Sequence, residues 1–155
     1  MEVIWTSVVA VAGTLLGSVL THTFQRLVAQ RSELFARSEA LRQERMATYS
    51  AFAAAAEDYR HGQADRWYRK QEAPDGEAFL RARDEAHRLR TVARQALYRV
   101  RLLTDDGDVV LAAKRAYQCT WDVSNAQDSA DRDARDRRAK QAIEAFVSCA
   151  SPLVR

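Results

Sequence analysis

Five glycines and two prolines are all that punctuate this chain of 155 residues. Both residue types break helices, Gly through backbone entropy and Pro through its missing N–H. A chain poor in both, and rich in Ala, Arg, Leu, Glu and Gln, is composed for long helices. Where the breakers fall is equally informative. From Gln25 onward none appears before Gly62, so a first long helix is expected over about 26–71. "APDGEAF" supplies Pro74, Asp75 and Gly76 for one turn, "TDDGD" (Thr104 to Asp108) makes a second, and Pro152 stops the last helix. No alternating strand pattern and no internal repeat is visible.

Between these breaks apolar residues recur at helical spacing. Phe79, Ala82, Ala86, Leu89, Ala93, Ala96, Leu97 and Val100 share one face of a helix over about 77–104. Val110, Leu111, Ala113, Ala116, Tyr117 and Trp121 mark another over 108–123, and Ala139, Ala142, Ile143, Phe146, Val147 and Ala150 mark a last one over 129–150. In "DVSNAQDSADRD" between them, Asp122, Ser124, Asn125 or Ser129 is available as an N-cap. The fold class is all-α: an antiparallel bundle of three to four helices, or a coiled-coil hairpin, over residues 26–155.

Ahead of the bundle, "VIWTSVVAVAGTLLGSVLTHTF" (Val3 to Phe24) contains no charged side chain. Its mean hydropathy over a 19-residue window is about 1.8, in the range of a spanning helix. Trp5 would sit at one interface of a bilayer, and the hydroxyls of Thr and Ser can bond back to helix carbonyls. Ala10 and Ala12 form an A-x-A, but it lies inside the apolar run and no basic residue precedes it, which argues against a cleaved leader. Residues 1–25 are therefore expected to be a transmembrane anchor. Arg26, Arg31, Arg37, Arg42 and Arg45 follow it, so the N-terminus would lie outside and the bundle in the cytoplasm, with membrane lipid as a partner. Gly13, Gly17 and Thr21 fall on one face at a spacing that lets two spanning helices approach, which would allow a homo-oligomer. Leu27, Leu34 and Leu41, seven apart, continue as a stalk or a short coiled-coil seam.

Chemistry is sparse. Cys119 and Cys149 make neither a metal spacing nor a disulfide framework, and they read as free thiols. Asp58-x-x-His61 and Asp84-x-x-His87 repeat the carboxylate–histidine spacing of di-metal bundles. At about 100° per residue, however, both pairs point away from the apolar stripes, and they read as solvated surface. No nucleophile–base pairing and no phosphate-binding loop is present. The expectation is a protein that is not an enzyme and holds no cofactor and no metal.

Charge offers more. With 24 basic and 21 acidic residues the formal net charge is only +3, and only Lys70, Lys114 and Lys140 of the basic residues are lysines. That small excess weighs against nucleic acid as a partner. Yet "RARDEAHRLRTVARQALYRVR" sets its arginines in two rows, Arg83/Arg90/Arg94/Arg101 and Arg81/Arg88/Arg99, flanking the apolar face. Such rows fit snorkelling side chains paired with the acidic "DSADRDARD" segment inside the bundle, then a lipid or protein contact, and least of all nucleic-acid phosphates. In the last helix, Asp128/Arg132, Asp131/Arg135, Asp133/Arg137 and Asp136/Lys140 stand at i, i+4, where ion pairs support an exposed helix. Most aromatics are core candidates. Trp67 and Tyr68, among Arg66, Arg69 and Lys70 near the hairpin tip, are harder to bury; they read first as residues capping the core, and otherwise as a partner or lipid surface with Arg83, Arg90, Arg94 and Arg101.

Taken together, "WTSVVAVAGTLLGSVLTH", the Arg-rich "FQRLVAQRSELFARSEALRQER" and the Ala-rich helices resemble the small single-pass membrane proteins of high-GC actinobacteria. That resemblance implies an anchored helical module without an assigned activity. The favoured function is a non-catalytic, membrane-anchored interaction or scaffold module with an unknown protein partner. The alternatives are a metal- or small-molecule-binding bundle and a basic nucleic-acid-binding regulator.

Overall fold

A computed structural model describes the backbone of residues 2–155 and the side chains of residues 32, 33 and 35–155. Four α-helices follow one another: α1 (Glu2–Glu72), α2 (Glu77–Leu103), α3 (Gly107–Asp122) and α4 (Ser129–Ala150). Single 3-10 turns follow α3 (Val123–Asn125) and α4 (Ser151–Val154), and no strand occurs among the described residues. The connections are short, as the turn residues demand. Asp106 caps α3 by accepting from the backbone N–H of Asp108 and Val109, both at 3.0 Å. Asp128 caps α4 by accepting from Asp131 N–H at 2.8 Å, so the cap is none of the four residues expected. Caps of this kind satisfy donors that the first helical turn leaves unpaired.

The chain divides into two compact units, 1–41 and 42–155. Within the first, Ser38 Oγ donates back to the Phe35 carbonyl at 2.9 Å, and the Phe35 side chain is exposed. The second is the helical bundle. Its core takes Tyr49, Phe52 and Ala56 from α1, Leu97 and Val100 from α2, Val109, Ala113 and Ala116 from α3, and Ala142, Ile143, Phe146 and Ala150 from α4. The many alanines let the helices close on one another, while a few rings fill the volume between them. Phe52 and Phe146 meet edge to face, with centroids 4.8 Å apart, an arrangement that adds about 0.5–1.5 kcal/mol to their burial. A second cluster of Ala55, Tyr59 and Ala93 lies beside the partly buried Leu89 and Tyr117. At Gly62 a Cβ would fall 2.6 Å from Leu89 Cδ1, so the missing side chain makes room for α2.

The membrane placement expected from the sequence is corrected. Among the described residues no helix is long and apolar enough to cross a membrane. Among residues 35–155, whose side chains are described, the longest stretch free of acidic and basic residues, 46–56, has 11 residues, about half of what a bilayer core requires. The single-pass topology, with the N-terminus outside and the bundle cytoplasmic, goes with it. The side chains of residues 3–24, including Gly13, Gly17 and Thr21, and those of Leu27 and Leu34, lie outside the described residues.

A candidate interaction face on the second and third helices

The two arginine rows of α2 separate onto different neighbours. Arg90 looks toward α3: its Nε donates to Tyr117 Oη at 3.4 Å, and its guanidinium lies 5.8 Å from the Trp121 ring centroid. Arg83, Arg94 and Arg101 fall within about 40° of Arg90 on the helical wheel, so this row follows the α3 side of α2. The other row borders α1, where Arg99 lines a shallow cleft with Ala47, Thr48, Ala51 and Val92.

Neither row pairs with the acidic segment of α4. Among the described residues α2 packs on α3 and α3 on α4, with no close approach between α2 and α4. No ion pair joins an arginine of α2 to a carboxylate of α4 among the described residues. The α2 arginines bond locally instead: Arg81 with Glu77 at 3.3 Å, Arg83 with Asp84 at 3.2 Å and Arg88 with Glu85 at 2.6 Å. Arg101 sits over the Tyr98 ring at 6.0 Å.

The acids of α4 are used elsewhere. Asp136 accepts from Arg60 of α1 at 2.6 Å, with Glu57 on the same guanidinium at 2.8 Å. Burial works against the Arg60 charge, but the hydrogen bonds and charges of Asp136 and Glu57 outweigh it and hold its pKa above the usual value. Asp131 accepts from Arg135 at 2.9 Å, as their i, i+4 spacing leads one to expect. Arg135 also reaches Asp122 at 2.7 Å. The bond from Arg135, helped by the Gln127 N–H, holds the Asp131 carboxyl below its usual range. Asp128 serves as the cap, and Arg132 pairs with its neighbour Asp133.

At the hairpin tip Trp67 takes the core position and not the surface one. It is only 5% exposed, and its indole N–H donates to the Ala126 carbonyl at 2.9 Å. One turn earlier Gln63, 1% exposed, donates to the Trp121 carbonyl at 2.9 Å. These two side chains of α1 thus satisfy a carbonyl at the end of α3 and another in the α3–α4 connection, groups that helix termini leave without partners. Tyr68 is half-exposed, bonds to Arg132 and carries that guanidinium over its ring. With Trp67 pinned in the core and Tyr68 occupied, this corner offers little to a partner.

Asp58, His61, Asp84 and His87 are all exposed. No group of three or more His, Cys, Asp or Glu able to hold a metal occurs among the described residues. His61 and His87 thus do not face inward, as a metal-binding bundle would require of them. Cys119 and Cys149 are free, and burial, reinforced by the charges of Asp106 and Asp108, pushes the Cys149 thiol up.

What remains is the α2–α3 side. Tyr98 and Trp121, expected in the core, are 49% and 47% exposed. Tyr98 stands between Arg94 and Arg101 on α2, and Trp121 stands beside Arg90. On α3, Lys114 falls about 20° from Trp121 on the wheel, on the same rim. No Asp or Glu occurs in α2 from Arg90 to Arg101, nor in α3 from Val109 to Trp121. Sequence reasoning found the arginines but missed Tyr98, Lys114 and Trp121. The signal was present, since Tyr98 follows Arg94 by four positions and precedes Arg101 by three.

Residues 46–154, well over half of the chain, match the family model of the KilB plasmid transfer protein. That stretch coincides with the packed bundle. This is not a known enzyme family, in keeping with the expectation from sequence. No curated protein and no solved structure matches the chain.

Proposed function

Since the chain belongs to the KilB plasmid transfer protein family, we propose that it serves plasmid transfer as a non-catalytic helical interaction module, presenting the α2–α3 face to a partner. The observation that carries this reading is the coincidence of two boundaries. The family match begins at residue 46 and ends at 154, inside the compact unit 42–155. The matched stretch of this chain is thus a small bundle with a core of alanines and rings, and its α2–α3 side carries cations and half-exposed rings. Such a surface recognises by complementarity and electrostatics. Arg94 and Lys114 make no ion pair among the described residues, so they are free to meet charge from outside.

The test is genetic and physical together. An in-frame deletion of residues 46–154 should reduce plasmid transfer frequency, and the intact gene should restore it. An Arg94→Glu/Lys114→Glu variant, shown by circular dichroism to be as helical and as stable as the parent, should fail to restore it. Undiminished transfer by the deletion would remove the reading. Full restoration by the charge-reversed variant would remove the face.

A further inference from the structure

We propose that the α2–α3 face binds single-stranded nucleic acid, with Arg90, Arg94, Arg101 and Lys114 meeting phosphates and Tyr98 and Trp121 stacking on bases. This rests on the reading of the chain as a binding module and names the chemistry of its partner. The whole-chain charge of +3 argued weakly against a polyanion, but the whole-chain figure averages over segregated surfaces. The aspartates of α4 are engaged with Arg60, Arg132 and Arg135, and none of them pairs with an arginine of α2 among the described residues. Along the α2–α3 rim, from Arg90 to Arg101 and from Val109 to Trp121, only cations remain.

Spacing supports a linear ligand. At 1.5 Å rise per residue, Arg90 and Arg94 are about 6 Å apart along α2, and Arg101 lies about 10 Å further on. Lys114 stands on the facing helix. The cations therefore trace a line along the α2–α3 side, which suits a strand better than a flat bilayer. The aromatics narrow the choice further. Tyr98 and Trp121, each about half-exposed, stand among the cations, and each has a guanidinium near one ring face. Alternating cations and ring faces form the usual platform for unpaired bases, which stack without sequence preference. In a duplex the base faces are already stacked on one another, and an acidic protein would have no use for two open ring faces.

The experiment is fluorescence anisotropy of the full-length chain with a labelled oligodeoxythymidine of about 20 nucleotides, titrated over a range of salt concentrations. Binding should weaken steeply with salt. Arg94→Gln/Lys114→Gln should lower the slope of log affinity against log salt by about 1.4, at roughly 0.7 for each single-strand phosphate that is no longer neutralised. Tyr98→Leu should weaken binding about tenfold with the slope unchanged, as removal of one stacked base predicts. Arg137→Gln/Lys140→Gln, which removes two exposed cations of α4, should leave both slope and affinity near the parent values. The proposal is overturned if no binding is seen at about 50 mM salt, or if the α4 variant is weakened as much as the α2–α3 variant. It is also overturned if duplex DNA of the same length, or vesicles containing phosphatidylglycerol, bind the face more tightly than the oligonucleotide. None of those results touches the transfer phenotype, so the interaction reading would stand or fall separately.

Discussion

Removing the two pins between α1 and the α3–α4 connection should cost less together than the sum of their separate costs. Gln63→Leu keeps the side-chain volume close but removes the donor to the Trp121 carbonyl. Trp67→Phe keeps an aromatic ring but removes the donor to the Ala126 carbonyl. A neutral hydrogen bond contributes about 1 kcal/mol net, and a carbonyl left buried without a partner adds a penalty of about 1–3 kcal/mol. In Gln63→Leu the apolar replacement of a buried amide returns part of this, leaving about 1–2 kcal/mol. In Trp67→Phe the reduced ring volume adds to it, for about 2–3 kcal/mol. Both carbonyls belong to one short stretch between Trp121 and Ala126. Once one pin is gone that stretch moves toward water, and the second carbonyl is no longer buried when its donor is removed. The double variant should therefore be about 1 kcal/mol more stable than the sum predicts, a coupling typical of groups that share a structural element. Urea unfolding followed by circular dichroism measures all four corners of the cycle. Amide exchange at Asn125, Ala126 and Gln127 reports the loosening directly. Strict additivity to within about 0.3 kcal/mol, or a Trp67→Phe variant as stable as the parent, would refute the argument that these bonds hold the connection.

Asp136→Ala should destabilise the bundle by about 1–2 kcal/mol, because Arg60 keeps Glu57 but loses its nearest carboxylate in a partly buried setting; Asp136→Asn should cost less, and denaturant midpoints decide. Asp131 titrates below its usual range in the folded state. Its contribution is therefore fully present above the unfolded value of about 3.9 and is lost as pH falls through the lower folded value. Asp131→Asn should flatten that acid-side part of the stability curve and leave neutral pH behaviour little changed. The Cys149 thiol, raised by burial and by Asp106 and Asp108, should alkylate with iodoacetamide more slowly than a free thiol at about pH 8. Asp108→Asn should speed the reaction, as mass spectrometry can show.

Much of the fold was legible because punctuation and periodicity agreed. Pro74 with Gly76, Asp106 with Gly107, and Pro152 all sit at helix boundaries, and α4 occupies Ser129–Ala150 as the apolar spacing required. For Trp67 the periodicity decides between the core and the surface reading. Tyr49, Phe52, Ala56, Tyr59, Gln63 and Trp67 advance by three or four residues and form one stripe, and the basic neighbours of Trp67 simply occupy the other faces of the helix. What the sequence could not give was the identity of each helix's neighbour. A helical wheel fixes the direction of Arg90 or Asp136 but not which helix stands there. The pairing of the α2 arginines with α4 failed for that reason, and so did the assignment of Asp136 to Lys140. The membrane placement failed differently: it rested on 3–24 alone, whose side chains lie outside the described residues, and among the described residues no helix is long and apolar enough to span a bilayer.

The arginines on the outer side of the second helix, apart from Arg90, find their described partners on their own helix and hold no other helix in place. The groups proposed for recognition and those that build the core are thus nearly separate sets of residues. Lineages carrying different plasmids could rewrite the outer letters to follow a changing counterpart while leaving the alanine-and-ring interior untouched, and a new specificity would seldom have to be weighed against collapse of the scaffold.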